Sequence, residues 1–383
     1  MATRFSFSLL LFLTLAKAGN NDDLSGQGVN QKQAQIPQPP LAACKDVSAI
    51  RKSYGEEFYQ KLKNFNDNDV AKYEQDSIYI FAEHGGDVKF KKLVKIMTYK
   101  TDSDLQSIKR EIDNLSLLND VGATPKFVEC ASEFIKGKRS DFFIFYIIHE
   151  ETSKNLISKE MRDLFKSFSP QKQILKILQI ASSLQKIHKE GISHQDFKPV
   201  NVVATDDQMT DVRLIDLDFS VKVGEKGIGG TKDYSSPDKF TGEFVATYHQ
   251  DAFAFAVSAL FLFDAEKLFM TEIASKCREY EESFTQDCRS VYVDKSFKFS
   301  EDRNIKDFTD YLQDHFFSEE KPLNLSDMIA KLVETFDKLT QIELDEIKAL
   351  TEEVHVIREA SKANVEIIKK LEPSLSKQQH MIL

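Results

Sequence analysis

The stretch His194-Gln195-Asp196-Phe197-Lys198-Pro199-Val200-Asn201 constrains this chain more than any other. It sets a carboxylate, an ammonium group and a carboxamide close together at Asp196, Lys198 and Asn201. The residues before it have a helical period. Between Gln171 and His188, the apolar residues Ile174, Leu175, Leu178, Ala181, Leu184 and Ile187 fall on one face. Gly191 suits the C-terminal end of that helix. The three polar groups therefore sit on a loop carried by a packed helix. A carboxylate that orients a hydroxyl, a cation that neutralises a phosphoryl group and an amide oxygen that holds a metal ion are the components phosphoryl transfer needs.

Other segments follow a consistent order. Val212-Arg213-Leu214-Ile215-Asp216 reads as a short strand ending in a carboxylate, continued by Leu217-Asp218. Gly230-Thr231-Lys232-Asp233-Tyr234-Ser235-Ser236-Pro237-Asp238 comes next, with Thr231 within reach of Asp196. Asp251-Ala252-Phe253 then opens an apolar run, Ala254 to Phe263. Upstream, Leu93-Val94-Lys95-Ile96-Met97 is a strand-like run around one lysine. Ser103 and Gln106 read as a capping box that starts a helix. On it Glu111 shares an apolar stripe with Ile108, Ile112 and Leu115. A carboxylate on that stripe needs a cation, and Lys95 is the candidate.

Over roughly residues 50 to 270 these segments resemble a eukaryotic-type protein kinase domain with a serine/threonine-type catalytic loop, H-x-D-x-K-x-x-N. The resemblance implies an α+β fold of two lobes, a small β-rich N-lobe and a larger helical C-lobe. It implies Asp196 as the catalytic base and Lys198 as the cation at the transferred phosphate. Asn201 and Asp216 would be the metal ligands, and Lys95, positioned by Glu111, would bind the donor phosphates. The cofactors implied are ATP and Mg. A second register would put Asp218-Phe219-Ser220 at the D-F-G position, but the apolar strand from Val212 to Ile215 favours Asp216.

Three features depart from the family pattern. No glycine occurs from Glu56 to His84, where the phosphate loop is expected, and His84-Gly85-Gly86-Asp87 reads as a hairpin turn. Asp218 stands where the family has glycine, adding charge beside the metal site. Gln195 replaces the arginine that receives an activation-segment phosphate, which implies an enzyme not switched in that way. After about residue 270 no arginine-centred family motif is recognisable. The expected function is a secreted kinase acting on protein Ser/Thr hydroxyls. Its rivals are a secreted pseudokinase acting as a binding module and, ranked third, a small-molecule phosphotransferase.

The expected organisation is a signal peptide over residues 1–18, a disordered linker over 19–45, an N-lobe over 46–150, a C-lobe over 151–335 and a helical extension over 336–383. Arg4, the apolar core from Phe5 to Leu15 and Ala16-Lys17-Ala18 make the signal. That core is too short to span a bilayer, and no other apolar run is long enough. Secretion is therefore expected, into the secretory pathway or outside the cell, with the mature chain starting near Gly19. Four cysteines fit that route and allow three pairings. Closeness favours Cys277 with Cys288, and elimination favours Cys44 with Cys130. Sequons occur at Asn114 and Asn324. A net charge of −10 without a basic block argues against nucleic-acid binding. The expected partner is an unidentified protein substrate, and the expected state is a monomer. Ile347, Leu350, Val354 and Ile357 form a short helical seam, expected to pack on the chain's own C-lobe.

Overall fold

Strand alternation in the N-terminal half explains why its strands read as continuous apolar runs. The computed structural model describes residues 41–69, 78–84, 90–135, 142–150, 154–240, 243–264, 268–277, 286–318 and 321–335. In it β1 (Lys45–Asp46), β2 (Ile78–His84), β3 (Phe90–Tyr99), β4 (Phe127–Ile135) and β5 (Phe142–His149) form one sheet, ordered β1-β4-β5-β3-β2. Helix α1 (Ser48–Asp69) lies before β2, and α2 (Asp102–Leu118) lies between β3 and β4. Val94 and Ile96 of β3, with Ile144, Tyr146 and Ile148 of β5, pack against Ile50, Tyr54, Phe58 and Leu62 of α1. The other face turns Met97, Phe143, Phe145 and Ile147 toward Ile108, Ile112 and Leu115 of α2. Both faces are covered, so period-two alternation separates two cores rather than a core from water.

Helix α1 recurs at i, i+4 and i+8 on its buried side and breaks at Gly55, whose φ of 86° is open to glycine at little cost. Helix α2 begins two residues before the expected capping box. Thr101, not Ser103, is the N-cap, and Asp104 returns the bond to the cap backbone. The folded body also begins inside the expected linker, because Cys44 forms a disulfide with Cys130 and Lys45–Asp46 pairs with β4. Strands β2 and β3 pair from Ile78↔Ile96 to His84↔Phe90. Gly85-Gly86 between them, the expected signal peptide, residues 19–40 and the expected helical extension from 336 lie outside the described residues.

The second half is built on helices. Helices α3 (Lys159–Ser167) and α4 (Pro170–Lys189) precede four short strands: β6 (Ile192–Ser193), β7 (Val202–Ala204), β8 (Val212–Leu214) and β9 (Val221–Lys222). β6 pairs with β9 and β7 with β8, both antiparallel. Helix α5 (Tyr248–Phe263) is buried all round, as its unbroken apolar sequence requires. Then follow α6 (Leu268–Lys276), α7 (Gln286–Tyr292), α8 (Arg303–His315) and α9 (Leu325–Glu334). The Cys277–Cys288 disulfide ties the end of α6 to α7. The two-lobed α+β architecture expected from the sequence is present. A continuous core runs from the inner face of the sheet through α2 and α4 to α9.

Candidate active site

Lys95 is fully buried on the inner face of β3 and meets three carboxylates. Its Nζ lies 2.6 Å from Asp216 Oδ1, 3.1 Å from Glu111 Oε2 and 3.7 Å from Asp218 Oδ2. Glu111 is brought there by the apolar stripe of α2, where it is as buried as Ile108 and Leu115. Burial alone would strip the proton from Lys95, but the three carboxylates outweigh it and hold the ammonium well above its ordinary pKa. One cation cannot serve three anions equally. Burial opposes the charge on Asp216, yet the short Lys95 contact holds its carboxyl below the usual range. Burial pushes Glu111 up to about 7, against the pull of Lys95. Burial likewise raises Asp218 to about 6, with Asp216 adding repulsion.

The loop after β6 carries the second group of residues. Gln195 has φ 67° and Asp216 φ 74°, a left-handed backbone that a non-glycine residue adopts only when its surroundings force it. At Gln195 the force comes from Asp251, at the first turn of α5. Its carboxylate accepts from His194 N at 2.7 Å, Gln195 N at 2.8 Å and Ser193 Oγ at 2.9 Å, and contacts His188 Nε2 at 2.9 Å. His194 reaches the Ile215 carbonyl at 3.2 Å, joining this loop to the strand that ends at Asp216. Asp196 is thus presented with both oxygens engaged. Thr231 donates to Oδ1 from its backbone N at 2.6 Å and from its hydroxyl at 2.7 Å, and Lys198 Nζ lies 2.7 Å from Oδ2. Asn201 Nδ2 donates to the Asp196 carbonyl at 2.9 Å, which fixes its amide.

Gln195 is linked to the end of the segment that Thr231 begins. Its amide donates to Gln250 Oε1 at 2.9 Å, and the Gln250 amide donates to Asp238 Oδ2 at 2.6 Å. Lys239 also donates to the Gln195 carbonyl. These neutral amides and one lysine hold segment and loop together where the family pattern has an arginine. Leu93, Val203 and Ile215 form a small apolar cluster of their own, linking β3 to β7 and the strand before Asp216. His149, at the end of β5, is 1% exposed, and burial depresses its imidazole to about 4, so it is neutral at physiological pH.

The structure brings Lys95, Glu111 and Asp216 into one cluster and Asp196, Lys198 and Asn201 into a second. The His194–Ile215 bond joins the two. Of the two registers for the metal-binding aspartate, Asp216 makes the short contact to Lys95 and Asp218 the long one. The donor set at Lys95 is all carboxylate oxygen: Glu111, Asp216 and Asp218. Such a set suits a hard divalent cation, and Asp218 Oδ1 is buried without a hydrogen-bond partner. The residues present therefore fit magnesium.

Sequence reasoning placed Asp251 at the start of α5 but did not see it as the acceptor that shapes the loop carrying Asp196. It also missed Arg110, which donates to the Asp218 carbonyl at 2.9 Å, and the use of Asn114, whose amide donates to Leu217 O at 3.3 Å and Ser220 O at 3.0 Å. Arg110 immediately precedes Glu111 on α2 and Asn114 follows it by three residues, and the i, i+4 spacing of this polar pair was the available signal.

A family model described as "Protein kinase domain" matches residues 82–339. Among curated proteins, the chain is 29% identical over 121 residues to "Serine/threonine-protein kinase PknD" of Mycobacterium tuberculosis, covering 30% of this chain and 17% of that protein. It is 30% identical over 154 residues to "Serine/threonine-protein kinase mos" of Patiria pectinifera, covering 40% of each. The chain thus spans well under two thirds of the length of these relatives. The solved kinase PK-1 of the Cydia pomonella granulovirus superposes with a TM-score of 0.46 at 16% identity, over 70% of this chain and 98% of that one.

Proposed function

The chain belongs to the protein kinase family, and on that premise we propose that it is a secreted enzyme that transfers the γ-phosphoryl group of Mg-ATP to serine or threonine hydroxyls of proteins. The observation that carries this reading is the state of Asp196. Its carboxylate is oriented by two Thr231 donors and by Lys198, and the His194–Ile215 bond joins its loop to the strand before Asp216, which meets Lys95 and Glu111.

Each residue has a task that follows from its position. Asp196 accepts a hydrogen bond from the acceptor hydroxyl and takes its proton as the oxygen attacks. Lys198, already beside Asp196, neutralises charge on the group in transit. Lys95 holds donor phosphates, and the Glu111 contact keeps its ammonium from turning wholly toward Asp216. Asn201 and Asp216 would hold magnesium, which when bound supplies positive charge to the phosphate oxygens. The Gln195–Gln250–Asp238 chain assembles the acceptor side without a phosphate, so activity should not await phosphorylation of the segment.

The disulfides Cys44–Cys130 and Cys277–Cys288 support secretion, because such bonds persist in oxidising compartments. Among the described residues no helix is long and apolar enough to cross a membrane. Asp218 at the Lys95 cluster, with no glycine from Glu56 to His84, favours a second reading, a pseudokinase that binds partners without catalysis. A phosphotransfer assay on the secreted protein decides, using Mg or Mn and a panel of acceptor proteins. Wild type should label an acceptor, and Asp196→Asn should lose about 10²–10⁴-fold in rate while remaining folded. Equal inactivity of both proteins, folded and across all acceptors and metals, would establish the pseudokinase.

A further inference from the structure

The buried cluster around Lys95 does not balance its charge. Three carboxylates, those of Glu111, Asp216 and Asp218, have reactive oxygens within 4.8 Å of one another and share one ammonium. Arg110 lies near enough to Asp218 to favour its charge, but its Nε donates to the Asp218 carbonyl and its Nη2 to Ser107 Oγ, so these two nitrogens give the carboxylate oxygens no bond. With all three groups ionised, negative charge remains in excess at the cluster even with Arg110 nearby.

The unpaired oxygens are specific. Asp218 Oδ1 is buried without a hydrogen-bond partner. Glu111 comes from a different element, its side chain is 1% exposed, and its Oε1 has no partner. A buried carboxylate oxygen without a donor is costly to maintain. Two such atoms from α2 and from the loop after β8, facing one cluster, describe a place for a cation rather than a packing accident. Three carboxylate donors on one site favour a hard divalent ion over a monovalent one.

We propose that Asp218, with Asp216 and the free oxygen of Glu111, binds a divalent cation in the absence of nucleotide. The ligand class is a hard cation that accepts oxygen donors, such as Mg²⁺, Mn²⁺ or Ca²⁺. This extends the kinase reading, because the aspartate at 218 and not the family's usual residues makes the site independent of nucleotide phosphates. It changes the order in which metal and nucleotide bind: the metal binds first, and the nucleotide meets a site already charged. With Lys95 drawn toward three anions, a resident cation also frees the ammonium to turn to a phosphate.

The test uses Mn²⁺ as the probe on the full chain stripped with chelator and free of nucleotide. Free Mn²⁺ is followed by electron paramagnetic resonance, and the melting temperature is followed in parallel. Wild type should bind one Mn²⁺ more per chain than Asp218→Gly, and Mn²⁺ should raise its melting temperature. Asp218→Gly restores the family residue, and Asp218→Asn keeps the shape without the charge. Both should bind Mn²⁺ at least tenfold more weakly and lose the thermal shift. Glu301→Gln, an exposed carboxylate outside the cluster, should bind as wild type does. If wild type takes up no Mn²⁺ without nucleotide, or both Asp218 variants bind as well as wild type, the proposal is overturned. Phosphotransfer measured on the same preparations separates the two readings. Transfer without nucleotide-free Mn²⁺ binding overturns only this inference, and binding without transfer overturns only the assignment as an active kinase.

Discussion

Lys95 shows how much a single buried side chain can hold together. Its ammonium is the cation in contact with Glu111, Asp216 and Asp218 at once, so Lys95→Met would take from three buried carboxylates the counter-charge they share. That change should cost about 3–5 kcal/mol in urea denaturation, and adding Glu111→Leu should recover part of the loss. Such recovery would show that the penalty comes from stranded charge rather than lost packing. His149 makes a different statement. Its folded pKa of about 4 lies below that of an unfolded histidine, near 6.5. The neutral form is therefore favoured by folding, and its contribution is fully present above pH 6.5 and lost as pH falls toward 4. Over that window the chain should lose about 3 kcal/mol on this account, and His149→Gln should flatten that part of the stability profile.

At the scale of elements, the catalytic loop is an extension of α5 as much as of α4. Asp251, near the start of α5, accepts from two consecutive backbone N–H groups of the loop, and Gln195 keeps its left-handed backbone because those bonds hold it. Asp251→Ala would strand both donors in a dry interior. The expected cost is about 3–5 kcal/mol, with kcat falling more than KM because Asp196 is misplaced rather than removed. Asp251→Asn, which offers one carbonyl oxygen, should fall between. Kinetics of the folded fraction would separate this positioning role from a purely structural one. The two faces of the sheet follow a related logic. Helix α1 covers the outer face with Phe58 and Leu62, so Phe58→Ala should destabilise by about 3–4 kcal/mol without altering nucleotide affinity, which the proposed function assigns to Lys95 on the inner face.

For the whole molecule, the two disulfides divide the work unequally. Cys44–Cys130 closes a separation of 86 residues and Cys277–Cys288 one of 11. Loop-closure entropy makes the first worth about 4.5 kcal/mol and the second about 3 kcal/mol. Paired serine substitution should thus lower the melting temperature more at Cys44 and Cys130. On the secretory reading the sequons also separate. Asn324 is exposed at the N-cap of α9, where its carbonyl oxygen accepts from Ser326 N at 2.9 Å. The Asn114 amide is committed to two carbonyls beneath Asp218. Material recovered from a secretory host should lose a glycosidase-sensitive mass with Asn324→Gln and be unchanged by Ser116→Ala.

Much of this was legible in the residues because the chemistry of the site is local. The spacing of Asp196, Lys198 and Asn201, the strand before Asp216 and the stripe carrying Glu111 each lie within one or two turns of chain. Period and residue type therefore specify them before any folding is known. The helical period of α4 and the apolar run of α5 were readable for the same reason. What depended on distance along the chain was not. That Asp251 bonds His194 and Gln195, that Asn114 supports the loop after Asp216, and that Asp218 joins Glu111 at one lysine are contacts across 56, 103 and about 100 residues. The start of α2 was misplaced because two threonine- or serine-led boxes compete in the same short stretch, and the packing of Ile108 and Leu115 against the sheet selects between them. Local sequence determined which groups this protein carries and on which elements. Burial, by bringing three carboxylates to one ammonium in a place that water does not screen, decided what charge they hold and which of them is left without a partner.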